Sequence, residues 1–213
     1  MSRRVGLMTA AALILIGTPA FAGPPLLCFP FDIGSTQSLP IGTGDWHAVD
    51  PRYDASRVVD DTLALLTPAT PVIARMETLR RATLYVGKDP ARALELLRRL
   101  EARAKVSDAN APMAVFDFGY LAETYKQAAF VFGGPNRATK AADAIEGYSL
   151  VQKSAAWASD PQIEFALAVM TRGNTRVAAA HSAHLARVVK AAETDATIQA
   201  NIARQFGAEL AQR

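Results

Sequence analysis

Cysteine is nearly absent from this chain: Cys28 is the single one among 213 residues. No intramolecular disulfide can form, so the core must hold without covalent staples. Charge of one sign is lacking as well. The chain carries 23 basic and 20 acidic residues, and past residue 22 the balance is 21 against 20. Without clustered Lys and Arg there is no basis for phosphate binding, which excludes nucleic acid as an expected partner. Gly-x-Ser-x-Gly, P-loop, dinucleotide, His-Glu-x-x-His and Cys-x-x-Cys patterns are all missing. The common enzyme signatures are therefore absent, and neither metal nor cofactor is expected. No segment alternates with period two over a convincing length, which argues against strands.

The longest apolar run, residues 5–16, follows Arg3 and Arg4 and precedes Ala20-Phe21-Ala22. A run of about a dozen is short of the roughly 20 residues a membrane-spanning helix needs. The positive start and small-x-small ending predict a secretory signal over residues 1–22, with Gly23 as the new start. A retained anchor is the alternative that length disfavours. A lipoprotein would need a small residue where Leu27 precedes Cys28, and "SRRVGL" matches a twin-arginine signal only in part. The reading is a periplasmic or secreted protein with no transmembrane segment once the signal is removed. Residues 23–52 form a Pro/Gly-rich leader, and residues 53–213 form one helical domain. Half the residues are apolar, enough to bury a sizeable core.

What is present is helical punctuation. Thr70-Pro71, Asp89-Pro90 and Asp160-Pro161 each pair an N-cap side chain with proline at the first helical position. Helices are predicted at 54–66, 71–86, 90–105, 112–132, 137–158, 161–172, 175–192 and 195–211. Gly87, Gly133-Gly134 and Gly173 mark the stops. Ala93, Leu94, Leu97, Leu100 and Ala104 share one face of the third helix, with Glu95 and Arg99 paired on the wet side. The helix over 112–132 is apolar around most of its circumference, which places it inside the fold. Gly119 within it predicts close approach of a neighbour. The fold class is all-α. Two Asp-Pro starts lie 71 residues apart, near twice the roughly 34-residue tetratricopeptide period. "DPARALELLRRLEARA" resembles the second helix of such a repeat, and Phe118-Gly119 with Ala122 resembles part of a first helix. Stacked hairpins of a tetratricopeptide-like solenoid are the expectation, with an irregular helical bundle as the alternative.

Residues 23–52 hold Pro24, Pro25, Pro30, Pro40 and Pro51, which deny this stretch regular structure. Seven apolar residues among them, including Leu26, Leu27, Phe29, Phe31, Leu39 and Trp46, are too many for a solvated tail. The segment is predicted to be an extended strap across the helices, with Trp46 as an anchor. "GPPLLCFPFDIG…SLP", "DTLALLTP…TPVIARMETLRRA" and "FDFGYLAETYKQA" together resemble a group of uncharacterised bacterial exported proteins with helical, repeat-like bodies. The resemblance implies architecture and location and no activity. It also implies that histidine is common where this chain has Phe29, so a Cys-His metal pair is lost here.

Cys28 is a candidate for partner disulfide, metal or nucleophilic chemistry, set against burial as a small hydrophobe. His181 and His184, three apart, border an apolar row, and two ligands fall short of a four-coordinate site. Asp117, Tyr120, Glu123, Tyr125 and Lys126 are the polar content of the central helix. Asp117 with Tyr120 and Glu123 with Lys126 are spaced to meet. Asp32, Asp45, Trp46 and His47 sit in the leader, where they could line a groove mouth. The expected role is binding of a protein or peptide partner along a helical groove, the leader acting as lock or gate. The alternative is an exported enzyme or cofactor- or metal-binding protein that uses Cys28 and the polar residues near it.

Overall fold

The computed structural model describes residues 24–106 and 111–212. The signal expected over residues 1–22 lies outside them. Among the described residues there is no strand, and the fold is all-α. Among the described residues no helix is long and apolar enough to cross a membrane. The helices are α1 (Pro25–Cys28), α2 (Val58–Leu65), α3 (Val72–Val86), α4 (Pro90–Lys105), α5 (Ala111–Val131), α6 (Arg137–Asp143), α7 (Gly147–Trp157), α8 (Pro161–Thr171), α9 (Ala178–Ala191) and α10 (Ala196–Leu210).

Two of the three proline starts behave as local chemistry dictates. Asp89 accepts a hydrogen bond from the amide of Arg92, and Asp160 from that of Gln162, each ahead of proline at the first turn. Thr70-Pro71 differs. Its helix starts at Val72 with no cap from its own N-cap residue. The Thr70 hydroxyl instead donates to the Leu65 carbonyl at 2.6 Å, closing the α2–α3 turn. The orphan amide of Ile73 donates to Gln162 on α8, 3.0 Å away. A distant helix thus supplies the cap.

Helix α5 is touched by α1, α3, α4, α6 and α7, which makes it the centre of the fold. Phe116, Tyr120, Leu121 and Tyr125 are buried on it. Its last turn emerges, however, and Phe130 is 85% exposed. On α4 the buried row is Ala93, Leu96, Leu97 and Leu100, a stripe rotated to include Leu96. The second buried helix is α8, where Phe165 to Val169 are all inaccessible. Helix α3 touches α5, α4 touches α6, and α5 touches α7. Contacts of α8 with α3 and α1 join elements far apart in the chain and draw the ends together.

The segment expected as one helix over 137–158 is two, α6 and α7, broken at residues 144–146. The reason is a reciprocal glycine contact. A Cβ on Gly119 would meet the Gly147 carbonyl oxygen at 2.7 Å, and one on Gly147 would collide with the Gly119 carbonyl. Backbones of α5 and α7 touch there, and a continuous helix from 137 would not aim at that point. Lys126 stitches the break, donating to the Ile145 carbonyl at 2.7 Å. Glu123, paired to Lys126 at 2.8 Å, also accepts from the Tyr148 amide at 3.3 Å.

Candidate functional site

Residues 24–52 have no ladder or long helix to satisfy their main chain, yet part of it is buried. Buried N–H and C=O groups must find partners. Pro25–Cys28 forms a single helical turn, with Leu26 and Leu27 fully buried. Phe31 and Leu39 are buried beyond it. Phe31 meets the Phe165 ring edge-on, centroids 6.1 Å apart. Trp46 is half-buried and packs beside Leu27, Leu84 and Ala128 in a smaller cluster.

Side chains of three helices supply the missing partners. Glu77 of α3 is 1% exposed and accepts from the Phe31 amide at 3.0 Å. Arg80, equally buried, is fixed to Glu77 at 2.7 Å and donates to the carbonyls of Leu27 and Trp46 at 3.1 and 2.9 Å. Arg81 also pairs with Glu77 and donates to the Leu39 carbonyl at 2.6 Å. From α5, Gln127 accepts from the Leu26 amide at 2.8 Å. From α10, Asn201 accepts from the Asp32 amide at 2.7 Å and donates to the Asp32 carbonyl at 2.8 Å. Gln205 donates to the Phe29 carbonyl at 3.2 Å. An amide side chain offers a donor and an acceptor side by side, so Asn201 engages Asp32 as a neighbouring strand would. Every one of these contacts reads main chain.

Glu77 and Arg80 are worth more together than either alone. Charge-assisted bonds are shorter and roughly twice as strong as neutral ones. Leaving one member of such a buried pair without its partner costs about 3–5 kcal/mol. The pair therefore presents a rigid donor–acceptor face to the leader. Between residues 30–34 and 41–46 a cleft of about 380 Å³ opens over Glu77, Arg80 and Arg81, with Arg204 at its edge.

Asp32, Trp46 and Asp45 all line this cleft. The Asp32 carboxylate faces solvent and accepts from the Gly34 amide, while its backbone is what the body holds. His47 is exposed, its Nδ1 2.7 Å from Asp45. Cys28 is half-buried. Arg80 and Arg172 act on it to lower its pKa, yet burial wins and pushes the thiol up. The shift favours the thiol, the less nucleophilic form.

Asp117 and Tyr120 do not bond to each other. Asp117 pairs with Arg75 of α3 at 2.7 Å, both essentially inaccessible. Burial pushes its carboxyl up to about 6 against the pull of Arg75 and Arg103. Tyr120 stacks on Phe116, and its hydroxyl has no partner among the described residues. Tyr125 donates to the Ala93 carbonyl. Glu123 and Lys126 serve the α6–α7 joint described above. His184 bridges Glu164 at 2.7 Å and the Tyr148 hydroxyl at 2.8 Å. His181 bridges Thr171 and Glu209, each at 3.0 Å. Both rings tie helices together. Among the described residues no group of three or more His, Cys, Asp or Glu could hold a metal ion.

The residues that sequence reasoning missed are Arg75, Glu77, Arg80, Arg81, Gln127, Asn201 and Gln205. On a helix whose charges recur every three or four residues, they read as a wet face. One signal was available: Glu77 with Arg80 and Arg81 at i+3 and i+4 is pre-paired before the fold forms. No protein-family model, curated protein or solved structure matches this chain.

Proposed function

We propose that this chain is an exported, tetratricopeptide-like helical protein that binds an extended peptide or protein segment. The binding groove is the one between α3, α5 and α10, and the chain's own leader acts as its resident strap. The observation that carries this reading is the main-chain clamp. Glu77, Arg80, Arg81, Gln127, Asn201 and Gln205 satisfy backbone groups of residues 26–46, while among the leader's polar side chains Ser38 meets Thr78 of α3 at 2.9 Å. Main-chain bonds give affinity for any extended segment, and pockets for alternate apolar side chains give selectivity. Leu26, Leu27, Phe31 and Leu39 occupy such pockets. The periplasm or the extracellular space is the proposed location, from the secretory signal expected over residues 1–22, and the helical-repeat exported proteins it resembles are its proposed kin.

A labelled synthetic peptide spanning residues 24–41 tests the groove. Phe31→Ala weakens the resident leader without touching the groove wall. That variant should bind the peptide at least about tenfold more tightly than the unmodified chain, as a leader weakened by about 1.4 kcal/mol or more requires. Saturating peptide should also raise its melting temperature. If fluorescence anisotropy finds no saturable uptake by either protein, the groove does not accept segments in trans and the reading fails.

A further inference from the structure

A second concavity, of about 420 Å³, lies away from the leader between α2, α4 and α5, and no leader residue lines it. Its size is in the range of small-molecule sites, roughly 300–1,000 Å³. The walls are mainly apolar: Leu63, Leu66, Met113 and Ala114. Three charged groups interrupt them, Arg75, Asp117 and Arg103.

Their hydrogen bonding is uneven. A guanidinium and a carboxylate that face each other commonly form two parallel bonds. Here Arg75 gives one arm to Asp117 Oδ2 at 2.7 Å. Its other donors go to the carbonyls of Thr70 and Thr67. Asp117 Oδ1, on a side chain 3% exposed, accepts nothing among the described residues. Arg103 lines the cleft but is exposed; one of its nitrogens donates to the Leu63 carbonyl at 3.0 Å, and the rest of its guanidinium makes no hydrogen bond to a described residue. An orphaned acceptor and a part-used donor thus share one apolar pocket.

We infer that this cleft binds a small neutral amphiphile whose single polar head both donates and accepts a hydrogen bond, an amide or an alcohol. The head donates to Asp117 Oδ1 and accepts from Arg103, while the apolar body lies against Leu63, Leu66 and Met113. An ammonium head would satisfy Asp117 but face two guanidinium groups. A carboxylate head would satisfy Arg103 but approach a buried carboxyl oxygen. An ammonium is repelled by the guanidinium groups, a carboxylate is repelled by the Asp117 oxygen, and both lose hydration at that oxygen, which leaves a neutral head as the good guest. Met113, unbranched and half-buried, is the adaptable part of the wall.

The test uses the full chain and three six-carbon probes, hexanamide, hexanoate and hexylammonium, titrated at pH 7.5 with NMR detection of the protein's amides. Hexanamide should bind saturably with a Kd of roughly 1–10 mM, the scale for so few atoms. It should bind at least about tenfold more tightly than either ion, because each ion meets like charge in the site. Ala114→Trp fills the cleft without touching the ion pair and should abolish binding while far-UV circular dichroism stays unchanged. If that variant unfolds, Leu66→Trp is the second blocking variant. Equal or tighter binding of either ion overturns the inference, as does hexanamide binding that survives a folded blocking variant. Absence of saturable binding by hexanamide up to about 50 mM, several times the expected Kd, overturns it too.

Discussion

Replacing Phe31 by alanine asks whether the leader belongs to the core or only rests on it. Phe31 is 3% exposed and sits in the main core cluster against Phe165, which in turn touches Phe206 on α10. Truncating a buried phenylalanine costs about 3–5 kcal/mol, as lost transfer energy plus the cavity left behind. For a chain of this length each 1 kcal/mol moves the melting temperature by about 2–4 °C, so the shift should be roughly 6–20 °C. A ceiling makes the number diagnostic. If the leader detaches from the body at some free energy g, no mutation within it can lower global stability by more than g. A loss of about 3 kcal/mol or more therefore requires that docking be worth at least that much. Phe130→Ala, at a site 85% exposed, is the control and should lie within about 0.5 kcal/mol of the unmodified chain. Urea unfolding followed by circular dichroism gives both midpoints. Coincident midpoints for the two variants would refute the reasoning, because the leader would then be an ornament on an independent body.

Asn201→Ala removes both bonds to the Asp32 backbone, and amide exchange of the leader should quicken by roughly 5- to 150-fold while α5 and α8 keep their protection. Exchange of Asp32 that stays unchanged would count against the clamp. Arg75→Met strands a buried carboxylate and should cost about 3–5 kcal/mol, whereas Arg75→Met with Asp117→Leu should be neutral or stabilising by up to about 4 kcal/mol. The pH dependence of that comparison has a definite sign. Asp117 holds its proton more tightly folded than unfolded, so it favours the fold at low pH and loses that contribution as pH rises from about 4 to about 6. Relative to the double variant, the natural chain should lose about 2 kcal/mol between pH 4 and pH 7 in urea titrations, and a constant difference would remove Asp117 as the source. Gly147→Ala drives a methyl into the Gly119 carbonyl and should cost about 1–3 kcal/mol in thermal melts, since neither backbone has room to yield.

Helix starts were the most legible part of this sequence because a cap is a local transaction. Asp89 and Asp160 reach amides two or three residues on, and nothing elsewhere in the fold can intervene. Thr70-Pro71 shows where that logic stops: the hydroxyl found a nearer acceptor in Leu65, and the amide was satisfied from α8. The break at 144–146 was hidden for a related reason. Ala144, Ile145 and Glu146 all suit a helix, and the break exists to bring Gly147 against Gly119, 28 positions back along the chain. Each glycine was visible alone; their pairing is tertiary.

The groove was illegible in a deeper sense. Leucine and phenylalanine among prolines mark the leader's candidates for burial by composition alone, but composition does not name the partners of a buried main chain. Those partners are charged or polar residues placed inside, against the ordinary preference of Arg and Glu for water. Burying them separately would be prohibitive, and α3 solves this by placing Glu77 one turn from both Arg80 and Arg81, so one carboxylate offsets part of the two positive charges before any leader docks. The leader then offers what the trio still needs: carbonyls at Leu27, Trp46 and Leu39 for the arginines, and the Phe31 amide for the glutamate. That complementarity makes a prediction of its own about α3. Glu77→Gln keeps the shape and the acceptor for Phe31 but leaves two buried or half-buried guanidinium groups without their counter-charge. The fold should lose about 3–5 kcal/mol through the body itself, so stability should fall even when the leader's docking is separately weakened by Phe31→Ala. If Glu77→Gln and Phe31→Ala together cost no more than Phe31→Ala alone, Glu77 acts only through the leader, and the idea of a pre-paired face is wrong.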